Sequence, residues 1–288
     1  MIAHVAEASE RKGRVVLHAA SADVNPLAIE AAMRIAAAFK SELESLFVED
    51  AKLFDVAGFP FASQISLSGR RREPLTREQI AAELKHLASA LHRRIAALAA
   101  KSDVPFKATV VRSDPIDALA RACRENGPWN IVALAETLTR ANADRLRQLI
   151  AAKLDATGFV VVGRNAQRAK GPTLVAIGDM AHLEPGLRAA ERLQSEPAPG
   201  GIQIVLVGAS ADEAQEMENQ ARLIIGPQAQ ADLVRLAPRF GSPLEVAETL
   251  RKAQPGFVIT RFDGVLAPSD EDLQSIIAML ECPLFLMR

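Results

Sequence analysis

One helix-start motif occurs twice in this chain. Asp114-Pro115 and Ser242-Pro243 each pair a residue that caps helices with a proline at the first helical position, and a carboxylate follows three residues after each cap. A short apolar run follows each motif, starting at Trp129 and Phe257, so both features repeat at an offset of 128 residues, from 114 to 242 and from 129 to 257. The shared offset favours an internal duplication over a chance similarity between two generic helix–strand units.

The residues around these motifs predict the same succession of elements in both halves. The halves open with apolar runs at 15–20 and 173–177, and runs without polar alternation are typical of parallel strands that are covered on both faces. Further strand and helix patterns follow in the order β-α-β-α-β-α-β-α-β, twice. We therefore expect an α/β protein with helices on both faces of parallel sheets. The expected domains are 1–166, with an insertion at about 49–75, and 171–288.

The composition argues against several classes of partner. The net charge is −1 and aromatic residues make up 4% of the chain, so we expect no nucleic-acid binding. The sequence has no stretch typical of a membrane helix, and residues 1–14 lack the pattern of a signal peptide, which predicts a cytoplasmic protein without membrane association. Cys123 and Cys282 have no C-x-x-C partner and are expected to be reduced thiols.

Several segments carry a family resemblance. The run 42–50 (ELESLFVED) after a helix rich in small residues, the closing run 281–286 (ECPLFL) and the order of elements resemble a tandem universal stress protein over almost the whole chain. Segment 53–61 resembles an insertion of some bacterial members. The resemblance implies the adenine-nucleotide alpha-hydrolase-like fold, with two tandem open five-stranded parallel sheets in the order 3-2-1-4-5. It also implies pairing through the fifth strands, either within one chain or in a homodimer.

The nucleotide-binding motif of that family is missing from both halves. Members that bind ATP or AMP carry the pattern G-x2-G-x9-G-[ST] after the fourth strand, where backbone N–H groups approach phosphate, and an Asp at the end of the first strand. Here no glycine occurs between Gly127 and Gly158, and the second half offers only Gly264. Ala19 stands at the first Asp position and Gly178 at the second. The resemblance therefore implies a non-ATP-binding type with degenerate sites and no cofactor.

A non-standard site for AMP or ATP is the alternative. The segment after the fourth strand of the first half contains Arg140, Arg145 and Arg147, whereas the matching segment 269–272 carries three carboxylates that would repel phosphate. A solvated helix face is the favoured interpretation of these arginines, and an anion site is the other. The residues that would contribute to nucleotide binding in the alternative are Ser21, Asp23, Arg140, Asn142, Gly178, Asp179, Asp263 and Gly264.

The sequence contains no pattern typical of catalysis or metal binding. It lacks G-x-S-x-G, G-x-G-x-x-G and Walker-type motifs. His86 and His92 are six residues apart, whereas helical metal ligands are three or four apart. His18 and Cys123 are interpreted as packed core residues. We therefore expect a protein that is not an enzyme and holds no metal.

The composition of the insertion favours contacts with other proteins as the expected mode of action. Residues 53–65 are rich in leucine, isoleucine and phenylalanine, and an arginine run follows at 70–72. An exposed apolar loop with a basic tip is typical of partner docking, but the same segment could equally fold back over the chain. The leading hypothesis is a non-catalytic, universal-stress-like regulatory or scaffold protein in stress response, with an unknown protein partner. The alternative is an AMP- or ATP-binding stress sensor.

Overall fold

The computed structural model describes residues 13–21, 24–65, 72–125, 129–136, 148–149, 152, 154–194, 200–225, 231–236, 243–266 and 273–288. The strands are β1 (Arg14–Ala19), β2 (Glu42–Asp50), β3 (Ser63–Ile65), β4 (Arg72–Pro74), β5 (Phe106–Ser113), β6 (Asn130–Leu134), β7 (Ala156–Val161), β8 (Thr173–Ile177), β9 (Ile202–Val207), β10 (Ala231–Leu236), β11 (Phe257–Arg261) and β12 (Leu284–Met287). The helices are α1 (Pro26–Ala38), α2 (Ala51–Val56), α3 (Arg77–Lys101), α4 (Pro115–Glu125), α5 (Leu183–Leu193), α6 (Ala211–Ile225), α7 (Pro243–Lys252) and α8 (Leu273–Leu280).

Ten strands of the described chain form one continuous sheet in the order β10-β9-β8-β11-β12-β7-β6-β1-β2-β5. All neighbouring strands in it are parallel except β7 and β12. Each half contributes five strands, and within each half their order is 3-2-1-4-5, counted without the antiparallel β3–β4 hairpin of the insertion. The order within each half is therefore the one that the family resemblance implies.

The two expected sheets are joined into a single sheet. The last strands of the halves, β7 and β12, pair antiparallel within the chain, with Val161 opposite Leu284 and Gly158 opposite Met287. A free edge strand leaves a row of backbone N–H and C=O groups without partners, and each of these strands supplies partners for the other. The halves also touch through their helices, because Arg34 Nε on α1 donates a hydrogen bond to the Leu193 carbonyl on α5 at 3.2 Å.

The helix starts follow the capping chemistry of the sequence. Thr76 caps α3, and its side chain and that of Gln79 each accept a backbone N–H of the other residue, which completes a capping box. Asp114 caps α4 by accepting the N–H of Ile116 at 2.9 Å, and Pro115 occupies the first helical position. Hydrogen bonding from Lys52 lowers the pKa of the Asp114 carboxyl. The repeat of this motif at Ser242 lies outside the described residues, although α7 begins at Pro243 as the repeat predicts.

Alternation along the strands divides the core into two layers, one on each face of the sheet. Leu17 of β1 packs in the layer with α1, α3, α5 and α6, whereas Val16 packs in the layer with α4, α7 and α8. Each layer contains buried residues of both halves. The helices therefore cover both faces of the sheet. The carboxyl ends of the parallel strands stay uncovered by these layers, and this is where ligands bind in open parallel sheets.

A buried charge cluster lies on β1, β2 and β5. The Glu44 carboxylate, 2% exposed, forms an ion pair with Arg14, which is 5% exposed. Thr109 Oγ1 donates to Glu44 Oε1 at 2.6 Å, and Lys107 Nζ lies 3.3 Å from the same oxygen. Arg14 also donates to the carbonyl of Ala122 on α4. Each charge is thus compensated inside the protein, as burial requires.

Candidate functional site

The topology places one candidate site at the carboxyl end of each group of five strands. In an open parallel sheet, ligands bind in the crevice where neighbouring strands connect in opposite directions. In the first half this crevice lies between β1 and β6, because β2 and β5 lie on one side of the pair and β7 on the other. In the second half the equivalent crevice lies between β8 and β11.

Glu136 occupies the crevice of the first half. Its Oε1 accepts a hydrogen bond from the backbone N–H of Ala20 at 2.9 Å, directly beyond the end of β1. An antiparallel bridge joins Val24 to Glu136, and the N–H of Asn25 donates to the Ala135 carbonyl at 2.8 Å. The segment after β1 is therefore closed over the segment after β6, and a carboxylate of the chain itself occupies a backbone donor that could otherwise face an anion.

Sequence reasoning missed Glu136. It searched the segment after the fourth strand for glycines, whereas the decisive residue is an acid two positions beyond the end of β6. Its carboxylate satisfies the Ala20 N–H and places negative charge at this edge, which opposes an anion there. An acid two positions beyond the fourth strand is thus the pattern that could have located it.

Of the first-half residues of the alternative nucleotide site, Ser21 is the one that lies within the described residues. Ser21 follows Ala20 at the crevice and is partly buried. Asp23, Arg140 and Asn142 lie outside the described residues, as do Arg145 and Arg147. The interpretation of these arginines stays a prediction.

In the second half, Asp179 is engaged in starting a helix. Its Oδ1 accepts the N–H of Ala181 at 3.0 Å and so caps the 3-10 turn Met180–His182 that leads into α5. Its Oδ2 lies 3.3 Å from Nδ1 of His182 and 3.9 Å from Nη1 of Arg261 at the end of β11. The helix α5 starts at Leu183, and Pro185 is tolerated because it lies within the first turn.

Gly178, Asp263 and Gly264 take turn geometry at the same edge. Asp263 has a φ of 59°, and the N–H of Gly264 donates to the Arg261 carbonyl at 3.1 Å. A Cβ on Gly264 would stand 2.8 Å from that carbonyl oxygen, so the tight turn itself requires glycine. A Cβ on Gly178 would meet Val265 at 3.3 Å. The two residues after β11 thus form a tight turn.

The insertion presents a largely exposed apolar face. Phe54 of α2 is buried and lies under the Arg112 guanidinium, which is 3.7 Å from the ring centroid. The rings of Phe59 and Phe61 stack with their centroids 5.4 Å apart. We call the exposed apolar residues of this segment the insertion surface: Leu53, Val56, Phe59, Phe61 and Ile65. The sequence left two interpretations of the insertion open, folding back over the chain and exposure for partner docking. Phe54 folds back and is buried, whereas the five side chains of the insertion surface stay exposed.

The buried cysteines are poor nucleophiles. Desolvation by burial raises the pKa of both Cys123 and Cys282 to about 12. At neutral pH both are therefore thiols rather than reactive thiolates. His18 is 2% exposed within β1, as its interpretation as a core residue predicts. The described ranges contain no group of three or more His, Cys, Asp or Glu side chains arranged to hold a metal ion.

Comparisons with known proteins identify the fold. No protein family's sequence profile matches the chain, and no curated protein matches it significantly. A universal stress protein from Archaeoglobus fulgidus is similar in structure, with a TM-score of 0.61, 11% identity and 96% of each chain covered. The chain has the universal stress protein fold.

Two other solved structures show the same fold at lower scores. A functionally unknown protein, PA1789 from Pseudomonas aeruginosa, aligns with a TM-score of 0.54 and 13% identity over 95% of this chain and 92% of its own. The cytoplasmic domain of a prokaryotic cation chloride cotransporter aligns with a TM-score of 0.55 and 12% identity over 96% of this chain and 95% of its own. Within the described residues, every helix is too short or too polar to cross a bilayer.

Proposed function

We propose that this chain is a non-catalytic regulatory or scaffold protein of the universal stress type, which acts in stress response through protein contacts and without a nucleotide cofactor. The observation that carries the proposal is the insertion surface. Phe61 is 77% exposed and Ile65 is 65% exposed, although both are large apolar side chains. Apolar residues that cluster on a surface in this way mark protein interaction sites, whereas scattered ones need no explanation.

The insertion surface has the composition of a protein interface. The stacked Phe59 and Phe61 offer aromatic area of the kind that dominates binding energy in interfaces. A shallow groove of about 470 Å³ is lined by Phe59 together with residues 57, 58, 60, 62 and 74–78. Arg77 lines this groove and donates to the Phe54 carbonyl at 3.1 Å, which ties α3 to the insertion. A partner segment with apolar side chains would fit against this face.

The closed crevice of the first half supports a function without nucleotide. Binding of AMP or ATP between β1 and β6 would have to displace the Glu136 carboxylate from the Ala20 N–H and open the bridge to Val24. Both steps oppose binding, since the amide would lose an ionised acceptor and phosphate would meet a like charge. This is why we favour the scaffold over the nucleotide sensor.

Partner capture with matched variants tests the proposal. The full chain and a Phe59→Ser/Phe61→Ser double variant are cross-linked in cells under stress, and captured proteins are identified and purified. We expect a partner whose affinity for the double variant, measured by calorimetry, is lower by about tenfold or more. Leu223→Ser is the control, because Leu223 is 84% exposed on α6, outside the insertion. Equal affinity of the double variant and wild type would contradict the proposal.

Nucleotide titration tests the other half of the proposal. Calorimetry of the wild type with ATP, AMP and cyclic AMP is expected to show no binding at micromolar nucleotide. Micromolar binding that is lost in Ser21→Ala or Arg140→Ala would establish the sensor instead.

A further inference from the structure

A small enclosed pocket lies in the second half, between α5 and the sheet. Its volume is about 200 Å³, and it is more enclosed than the grooves beside the insertion. Strands β8, β11 and β12 form its floor, and the start of α5 forms its roof. Its walls are mainly apolar, with Val175, Ile177, Ile259 and Met287 from the strands. Such a lining favours the body of an apolar molecule.

The close approach of α5 to the sheet positions the pocket. A Cβ on Gly186 would stand 2.7 Å from Val175 Cγ1, so glycine allows this helix to lie against β8. Pro185 of α5 and Ala181 of the preceding 3-10 turn also line the pocket. The pocket is therefore built by the packing of this turn and helix on the strands.

Two arginines, Arg261 and Arg288, and His182 line the pocket where it opens. Arg261 is 46% exposed, and its contact with Asp179 is 3.9 Å, longer than a hydrogen bond, so its guanidinium has donors left for a ligand. His182 Nδ1 is buried and lies 3.3 Å from Asp179 Oδ2, so it is already paired with that carboxylate. Arg288 donates to the Leu154 carbonyl at 2.6 Å, so it contributes charge but has a donor already engaged.

The size of the pocket limits its ligand. Pockets for drug-sized molecules usually span roughly 300–1,000 Å³. A space of about 200 Å³ is below that range, so a nucleoside phosphate would not be enclosed in it. Apolar walls with cationic groups at the mouth match a compact acid that has an apolar body and a single anionic group. Thr260 does not add a free donor, because its Oγ1 donates to the Ala176 carbonyl at 3.2 Å.

We propose that this pocket binds a small apolar monocarboxylate, such as a one-ring or short-chain acid, with its body between α5 and β8 and its carboxylate on Arg261. The proposal does not depend on the insertion surface or on the closed crevice of the first half.

Titration calorimetry with benzoate as the probe tests this site. We expect benzoate to bind the wild type at millimolar affinity or better, and benzamide, its uncharged match, to bind at least about tenfold more weakly. Arg261→Gln should weaken benzoate by about tenfold or more, since it removes a charged hydrogen bond. Arg188→Gln is the control, because Arg188 lies on α5 but pairs with Glu184 on the exposed face.

A pocket-filling variant separates binding inside the pocket from weak surface binding. Ala181→Leu adds bulk at an exposed position that lines the pocket, so it should abolish benzoate binding while leaving the thermal unfolding temperature close to that of the wild type. If this variant fails to fold, the benzoate affinities of Arg261→Gln and Arg188→Gln still test the proposal. Absence of benzoate binding, equal binding of benzamide, or displacement of benzoate by AMP would overturn the proposal.

Discussion

Gly158 on β7 lies against Phe285 on β12, at the antiparallel pair that joins the two halves. A Cβ on Gly158 would overlap the Phe285 ring and stand 2.7 Å from the Leu286 carbonyl oxygen. Both strands are central in the ten-stranded sheet, so neither can move away without breaking other pairs. The close approach of these strands therefore depends on glycine at this position.

Gly158→Ala is accordingly expected to lower the free energy of unfolding by roughly 1–3 kcal/mol, the usual range for overpacking a buried site. Urea unfolding followed by circular dichroism measures the change. Gly178→Ala is the control, because its Cβ would meet its nearest neighbour, Val265, at 3.3 Å and the loss should be smaller. Equal losses in the two variants would show that the joint tolerates a methyl group.

Removing the Glu136 carboxylate should expose the amide of Ala20. Glu136→Ala deletes the acceptor at 2.9 Å, and we expect a loss of about 1–3 kcal/mol in the free energy of unfolding, as for a donor left without its partner. Glu136→Gln keeps an acceptor oxygen and should lose less. Guanidinium unfolding of the three proteins checks the order. If the alanine and glutamine variants were equally stable, the hydrogen bond would contribute nothing.

Much of this fold follows from the sequence, because its determinants are local. The duplicated cap motif and the unalternating apolar runs each act within a few residues, and the structure confirms the helices and the strands that they predict. The resemblance implied pairing of the fifth strands, but it left open whether they pair within the chain, as in the continuous sheet, or in a homodimer. The pairing within the chain depends on how the backbone at Gly158 meets a ring more than 100 residues away in the chain, and no local pattern encodes that contact.

The candidate site was harder to predict for the same physical reason. The tight turn at Gly264 depends on local backbone geometry. The Glu136–Ala20 hydrogen bond, in contrast, joins positions 116 residues apart, and its partner is a backbone N–H that every residue except proline possesses. The pocket beside α5 depends on tertiary packing, through the close approach of Gly186 to Val175.

Burial makes His92 a source of acid sensitivity. Desolvation lowers its pKa below the ordinary value of 6.5, against an opposing hydrogen bond to the backbone of Ser45. The unfolded chain then takes up this proton before the folded one, so the stabilising contribution is complete above pH 6.5 and falls as the pH drops through that value. His92→Gln should flatten the dependence of unfolding free energy on pH below 6.5. The control is His86→Gln, at an exposed position of α3, and an unchanged slope in His92→Gln would contradict the assignment.

The two cysteines should be unreactive until the protein unfolds. Their pKa values of about 12 leave almost no thiolate at pH 8, and both side chains are buried. We expect a disulfide reagent such as Ellman's reagent to label neither thiol in native protein, and to label both in guanidinium. Rapid labelling of Cys123 in the native state would mean that α4 opens away from the sheet.

The pair of Glu44 and Arg14 should be far more sensitive to loss of one partner than to loss of both. Glu44→Gln leaves the Arg14 guanidinium, 5% exposed, without its counter-charge, and we expect a loss of about 3–5 kcal/mol in the free energy of unfolding. Replacing both, as Arg14→Met/Glu44→Leu, should recover most of that loss, since an apolar pair needs no compensating charge. Lys107→Gln is the control, because Lys107 is 50% exposed and contributes at most a surface ion pair. Chemical denaturation of the four proteins gives the order of their stabilities, and a double variant no more stable than Glu44→Gln would show that the cluster acts through packing rather than charge.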